Sequence, residues 1–165
     1  MRVQHHRGSR EELRTLFEEA EDSAQQLDAY IDAGDVLVAT ANGVVVGHLQ
    51  LIDTPSKGAS EIKNMAVEQE HRGRGIGRML IHTAADLSQT KGHSTLTVAT
   101  AAADTGNLRF YQRVGFRIRT IEPDAFSSAA GYPPDTCIDG IPLRDRVWLD
   151  LDLGLLPGGR RDVLP

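Results

Sequence analysis

Apolar positions along this chain of 165 residues change their period several times, and each change marks an element. Residues 10–18 carry Leu13, Leu16 and Phe17 at helical spacing, with Ser9 as the predicted N-cap and Glu12 closing a capping box. A second helical stretch, about residues 23–33, starts from Asp22 or Ser23 and stops at Gly34, a residue suited to a C-cap. Residues 36–39 and 44–51 read as strands and flank Asn42-Gly43, the strongest short hairpin signal. A further strand is predicted at 60–67. Ile76, Met79, Leu80, Ala84 and Leu87 then fall at the spacing of an amphipathic helix reaching about Lys91. A strand at 94–100, a helix over 105–113, a strand at 117–121 and a last strand at 143–151 follow, and residues 2–6 add a short edge strand. Between the last two long strands, residues 122–142 hold Pro123, Pro133, Pro134 and Pro142, which predicts a long irregular excursion. Such loops inside a compact domain are usually functional or mobile. Residues 1–156 read as one domain of the α/β (α+β) class, and 157–165 as a flexible C-terminal tail.

The chemistry is most legible between the strand ending at Val67 and the long helix. There His71-Arg72-Gly73-Arg74-Gly75-Ile76-Gly77-Arg78 alternates glycines through a turn, so that several backbone N–H groups can converge on one anion. A helix start adds free N–H groups and the positive end of a dipole, and Arg72, Arg74 and Arg78 add charge. Strand, glycine turn and helix together predict a site for a phosphorylated cofactor. A dinucleotide fingerprint would need a third glycine where Arg78 stands and an acidic residue closing the strand at 95–100, and neither is present. A phosphate loop of the ATPase kind needs Gly-Lys-Ser/Thr, which the chain lacks.

What remains resembles the Arg/Gln-x-x-Gly-x-Gly/Ala signature of the GNAT superfamily of acetyl-CoA-dependent N-acetyltransferases, carried here by Arg72, Gly73, Arg74, Gly75, Ile76 and Gly77. A second block, Phe110-Tyr111-Gln112-Arg113-Val114-Gly115-Phe116, is similar to that family's Leu/Phe-Tyr-x-x-x-Gly-Phe. The two stand in the family's order, and the likeness spans most of the chain. It implies a GNAT fold: a mixed, mostly antiparallel, twisted sheet of about seven strands flanked by four helices, with one strand splayed just before the loop that takes the CoA diphosphate. It implies acetyl-CoA as co-substrate, held by residues 72–78 and by backbone groups of Met65, Ala66 and Val67.

The same resemblance assigns roles in the chemistry. Tyr111 matches the family's general-acid tyrosine: a phenol of pKa about 10 stays protonated at neutral pH and can donate to a leaving thiolate whose own pKa is about 8.5. Packing against Phe110 is the other reading of the same residue. Glu61, six residues before Val67, matches the catalytic glutamate of histone-type members; as a base it would serve an amine that is protonated at pH 7, and its other reading is an ion pair with Lys63 or an arginine. Where the family often has an asparagine touching the cofactor, seven residues before the tyrosine, this chain has Asp104, with Asn107 four before it. Either can cap the helix, and Asn107 is the candidate cofactor contact. The acceptor expected is a small-molecule amine, attacking acetyl-CoA directly in a ternary complex. Glu122, Asp124, Asp135 and Asp139 of the excursion offer charge for a cationic one. A protein (lysine or N-terminal) acetyltransferase and a non-catalytic acyl-CoA-binding sensor are the alternatives.

Composition narrows the rest. A formal charge of −5 and a pI near 5.6 disfavour nucleic acid as a partner. The six histidines form no metal-binding spacing, so no metal is expected. Cys137 is the only cysteine, which excludes an intrachain disulfide and fits a cytoplasmic compartment. No apolar run approaches the length of a membrane span or a signal peptide, so no membrane partner is expected. Monomer and homodimer both remain open.

Overall fold

A computed structural model describes residues 1–155; the expected domain end at 156 and tail at 157–165 lie outside the described residues. In chain order the strands are β1 (Arg2–His5), β2 (Asp35–Ala41), β3 (Val44–Asp53), β4 (Ala59–Val67), β5 (Thr95–Ala101), β6 (Arg117–Glu122), β7 (Cys137–Ile138), β8 (Ile141–Pro142) and β9 (Arg146–Asp152). The helices are α1 (Arg14–Glu18), α2 (Ala24–Tyr30), α3 (Ile76–Thr90) and α4 (Thr105–Val114). Seven strands form one sheet in the order β1-β2-β3-β4-β5-β9-β6, and β7 and β8 make a separate small ribbon. Within the sheet β4 and β5 are parallel, while the other neighbouring pairs are antiparallel. This is the GNAT fold predicted from the resemblance.

Strict alternation in β2 explains how the sheet takes cover on both faces. Leu37 and Ala39 join the larger core with Ile76, Leu80, Ile81 and Ala84 of α3. Val36 and Val38 point the other way, onto Leu13, Phe17, Leu27 and Ile31. β2 and β3 are joined by Asn42 and Gly43, both at positive φ as a tight hairpin turn requires.

Several local expectations are corrected. Residues 10–18 do not form one α-helix: Arg10–Leu13 is a 3-10 turn, and α1 begins at Arg14. The tighter turn puts the Glu11 N–H, rather than that of Glu12, on the Ser9 hydroxyl, at 3.3 Å. Glu12 therefore closes no capping box, and its carboxylate turns toward His6 at 3.9 Å. The second helix stops at Tyr30, short of residue 33, because the Gln50 amide reaches the carbonyls of Tyr30, Ile31 and Ala33 at 2.8–3.2 Å and takes over as their partner. The excursion at 122–142 is not wholly irregular, since it contains the β7–β8 ribbon and a 3-10 turn at Ser128–Ala130, and the last strand starts at Arg146 instead of 143.

The feature that makes a site is a divergence. β4 pairs with β5 from Ala59–Thr95 to Ile62–Val98. At that point its register with β3 slips by one residue, Gln50 facing Asn64 and Leu51 facing Ile62, so Lys63 bulges. Beyond the bulge β4 stays with β3 and leaves β5, opening a wedge in the middle of the sheet.

Candidate active site

The wedge is part of a cleft of about 810 Å³ that reaches from the glycine turn to the segment at 122–142. Its walls include the start of α3, the open edge of β4, the end of β5, the start of α4, residues 19–22 between α1 and α2, and β9.

At one end stands the anion site. Gly75 is the N-cap of α3, with φ +82°, and no side chain bonds to the helix start. The first helical bond, Met79 N–H to the Gly75 carbonyl at 3.0 Å, leaves the N–H groups of Ile76, Gly77 and Arg78 without an intrahelical partner. A Cβ on Gly73 or Gly75 would meet nothing within 4 Å, so this turn is bare on its outer side, as a phosphate cradle must be. Gly77 has a different reason: a Cβ there would lie 3.0 Å from the Phe110 ring, so its absence lets α3 and α4 approach.

The arginines of the turn separate into different positions. Arg78 lines the cleft and reaches the Arg113 carbonyl at 3.4 Å. Arg72 also lines it, but its guanidinium holds the Val67 carbonyl at 2.8 Å and Glu19 at 2.9 Å, tying the end of β4 to the α1–α2 connection. Arg74 is exposed and is not among the lining residues.

Along the wedge, Met65, Ala66 and Val67 all line the cleft, yet their backbones are not equivalent. Glu68 N–H bonds to the Val46 carbonyl, across toward β3. The alternation of an extended strand therefore turns the peptide groups of Ala66 to β3, where it faces His48, and those of Met65 and Val67 to the open edge. Met65 thus has its backbone groups free for a bound arm, and Val67 its N–H, the Val67 carbonyl being held by Arg72.

Asp104 and Asn107 both line the opposite wall. Asp104 is the N-cap of α4, its carboxylate accepting the Asn107 N–H at 2.8 Å, which leaves the exposed Asn107 side chain uncommitted. Tyr111, one helical turn on, is 5% exposed, packed edge-on against Phe110 and Phe116 at 5.2 and 5.5 Å between ring centres, and is not itself a lining residue. Burial raises its phenol pKa above the ordinary value, and the Asp104 carboxylate raises it further.

Glu61 lines the far side, mostly covered, with Lys63 Nζ 3.6 Å from its carboxylate. Around it lie groups that the sequence did not single out. Glu19, Glu21 and Asp22 come from the α1–α2 connection, and Arg146 and Trp148 from β9. Glu21 is placed by a chain of buried polar groups. Tyr30 donates to its carboxylate at 3.2 Å, Asn64 donates to the Tyr30 hydroxyl at 2.9 Å, and His48 Nε2 lies 2.9 Å from the Asn64 oxygen. Since the Asn64 amide is used on Tyr30 and Phe17, its oxygen must accept, and His48 carries its proton on Nε2. Burial pushes the His48 imidazole down to about 4, against the opposing effect of its hydrogen bond to Asn64.

The acids of the excursion are not where a cationic acceptor would meet them. Glu122 is taken up by Arg146 at 3.2 Å and the Trp148 indole N–H at 3.1 Å. Asp124, Asp135 and Asp139 are exposed and away from the lining, so that segment contributes Phe126, Tyr132, Ile138 and Leu143 instead. Alternation along the last strand held the missed signal: Val147, Leu149 and Leu151 face the α3 core, which turns Arg146 and Trp148 to the opposite face. Nothing local pointed to Glu21. Among the described residues no cluster of His, Cys, Asp or Glu could hold a metal, and no helix is long and apolar enough to cross a membrane.

With this geometry in place, likeness to known proteins is informative. Residues 6–116 match the model of the Acetyltransferase (GNAT) family. An uncharacterized N-acetyltransferase of Bacillus subtilis is 31% identical over 153 residues, 93% of this chain and 97% of that protein. A Bacillus subtilis acetyltransferase solved in complex with CoA superposes with a TM-score of 0.82 at 30% identity, over 92% of this chain and 97% of that one. A GNAT family acetyltransferase from Elizabethkingia anophelis with acetyl-CoA bound gives a TM-score of 0.83 at 27% identity and the same coverage.

Proposed function

The chain belongs to the acetyltransferase (GNAT) family and is an acyltransferase, and on that premise we propose that it moves an acetyl group from acetyl-CoA to a primary amine of a small molecule, by direct attack with both substrates in the cleft. The observation that carries this reading is the continuity of one cleft from a bare glycine turn, through the open edge of β4, to a walled recess at Glu61.

The diphosphate sits at the start of α3, where unpartnered N–H groups and Arg78 meet its charge. The peptide groups of Met65 and the Val67 N–H orient the pantetheine arm along the wedge, with Asn107 opposite, so the thioester is presented at the bulge. The amine nitrogen attacks the thioester carbon, a C–N bond forms, and the C–S bond breaks to release the CoA thiolate. Glu61 receives the proton the nitrogen loses. Lys63 Nζ, 3.6 Å from its carboxylate, holds it in place in the recess.

Tyr111, buried just behind the cleft wall, is the donor assigned to the departing sulfur, a role that requires its hydroxyl to join the lining when acetyl-CoA is bound. A phenol raised above its usual pKa is a weaker acid than the thiol it faces, so outright proton transfer to the thiolate is uphill. A hydrogen bond stabilises the developing charge without that cost. The recess is bounded by residues 19–22 on one side and by Phe126, Tyr132 and Leu143 on the other, and walls on both sides favour a compact acceptor over a protein surface. The reading is tested by following labelled acetyl from acetyl-CoA onto a panel of small amines and onto lysine peptides. Faster transfer to the small amines supports it, and transfer to peptides alone would replace it by a protein-modifying role.

A further inference from the structure

The acceptor recess is lined by side chains of opposite charge, which bears on the kind of amine it takes. Building on the function proposed above, we propose that the acceptor carries a carboxylate close to its amine, as an α-amino acid or a derivative with a free carboxyl group does, and that Arg146 recognises that carboxylate.

Arg146 is fixed as a receptor would be. Its guanidinium lies 5.0 Å from the Phe126 ring centre and 6.0 Å from that of Trp148, with one nitrogen 3.2 Å from Glu122. The Trp148 indole N–H holds the same Glu122 oxygen at 3.1 Å, so the carboxylate is oriented too. A guanidinium offers five donors in a rigid fork that matches a carboxylate, and Arg146 lines the cleft with one nitrogen on Glu122. Stacking on two rings lowers the entropy lost when a ligand engages the fork.

The ammonium end lies close by. Tyr132, a buried wall of the same recess, feels both charges: burial pushes its phenol up to about 12, the Glu21 carboxylate adds to the rise, and Arg146 opposes it. Glu21 and Arg146 both line this recess with Tyr132, so one cleft offers a carboxylate to an ammonium and a guanidinium to a carboxylate. Asp22 and Glu61 add negative charge on the ammonium side. Ile138, Leu143 and the Phe126 ring leave an apolar wall for the remainder of the molecule. A polyamine would instead set one of its cations against Arg146, a like-charge contact that selects against it.

The test uses steady-state kinetics with acetyl-CoA and a matched pair of acceptors, L-leucine and L-leucinamide, which differ in the carboxylate. The wild-type protein should favour the acid by roughly 10- to 100-fold in kcat/KM, the scale of a charged hydrogen-bonded contact. Arg146→Gln should collapse that ratio toward one through the KM of the acid, and Arg146→Lys, which keeps charge without the fork, should fall between. Unchanged thermal unfolding certifies that the variants are folded. Preference for the amide, or equal loss for both acceptors in Arg146→Gln, overturns the inference. If acetyl-CoA binds and neither acceptor is turned over, the acetyl-transfer reading is what has failed. Calorimetry on the CoA-loaded protein then decides the inference alone. Tighter binding of the acid, lost in Arg146→Gln, upholds it, and equal binding of acid and amide refutes it.

Discussion

Replacing Tyr111 by Phe removes one hydroxyl from a ring already held by Phe110 and Phe116, so shape and packing survive. The variant should bind CoA as the wild type does and lose turnover by roughly 10- to 100-fold, the size of a lost donor to developing charge. A wild-type kcat measured in saturating acetyl-CoA would leave Tyr111 as a packing residue. His48 makes the second residue-scale prediction. Its pKa falls from 6.5 to about 4 on folding, so between those values the unfolded chain binds the extra proton and the folded one does not. The stabilisation is complete above pH 6.5 and drains away as pH falls toward 4, by at most about 1.4 kcal/mol per pH unit. Urea midpoints at pH 7 and pH 5.5 should therefore drop in the wild type and drop less in His48→Gln; equal slopes would remove His48 as the cause. The His48 effect was not legible in the sequence. His48 lies on an apolar strand, and the residues packed around it, Phe17 against its ring and Asn64 as its hydrogen-bond partner, are brought in from other elements. Tyr111 was legible as a candidate through its motif, whereas its burial and the influence of Asp104 belong to the packed helix.

Among elements, the glycine turn carries the most function per residue. Gly75 has positive φ and open space around its missing Cβ, so a side chain there faces the anion site at a cost in backbone strain. Asparagine tolerates that conformation and is neutral, while aspartate has its shape and adds a negative charge. Calorimetric titration should show CoA binding to Gly75→Asp weaker than to Gly75→Asn by roughly tenfold, about 1.4 kcal/mol. Equal affinities would mean that no phosphate approaches α3 from this turn. Element existence was read well where pattern and breaker agree, as in β2, Asn42-Gly43 and β3, or in β4, the turn and α3. Boundaries were read less well where a distant side chain decides them. α2 ends at Tyr30 because of Gln50, twenty residues on, and no local signal in residues 23–33 contains that fact. The 3-10 turn before α1 and the β7–β8 ribbon are likewise short pieces that propensity alone does not resolve.

For the whole molecule, sheet order is the decisive fact. β9 inserts between β5 and β6, which places Arg146 opposite Ala101 and Glu122, and Trp148 opposite Ala99, at the mouth of the wedge. Strand order of this kind depends on pairings between residues far apart in the chain, so the cofactor side of the cleft, built mainly from the contiguous stretch 65–78, was visible in the sequence, and of the acceptor side only Glu61 was. The same assembly corrected the acidic excursion into an apolar wall and brought Glu21 into the recess from the other end of the chain. The most direct measurement of the whole account mixes the protein with acetyl-CoA carrying an isotope label in the acetyl group, first alone and then with a small amine, and reads the masses of protein and amine. Direct attack in one cleft predicts label on the amine nitrogen, equimolar with CoA released, and none on the protein in either mixture. Label held covalently by the protein before the amine is added, or bound acetyl-CoA that never labels an amine, would contradict it.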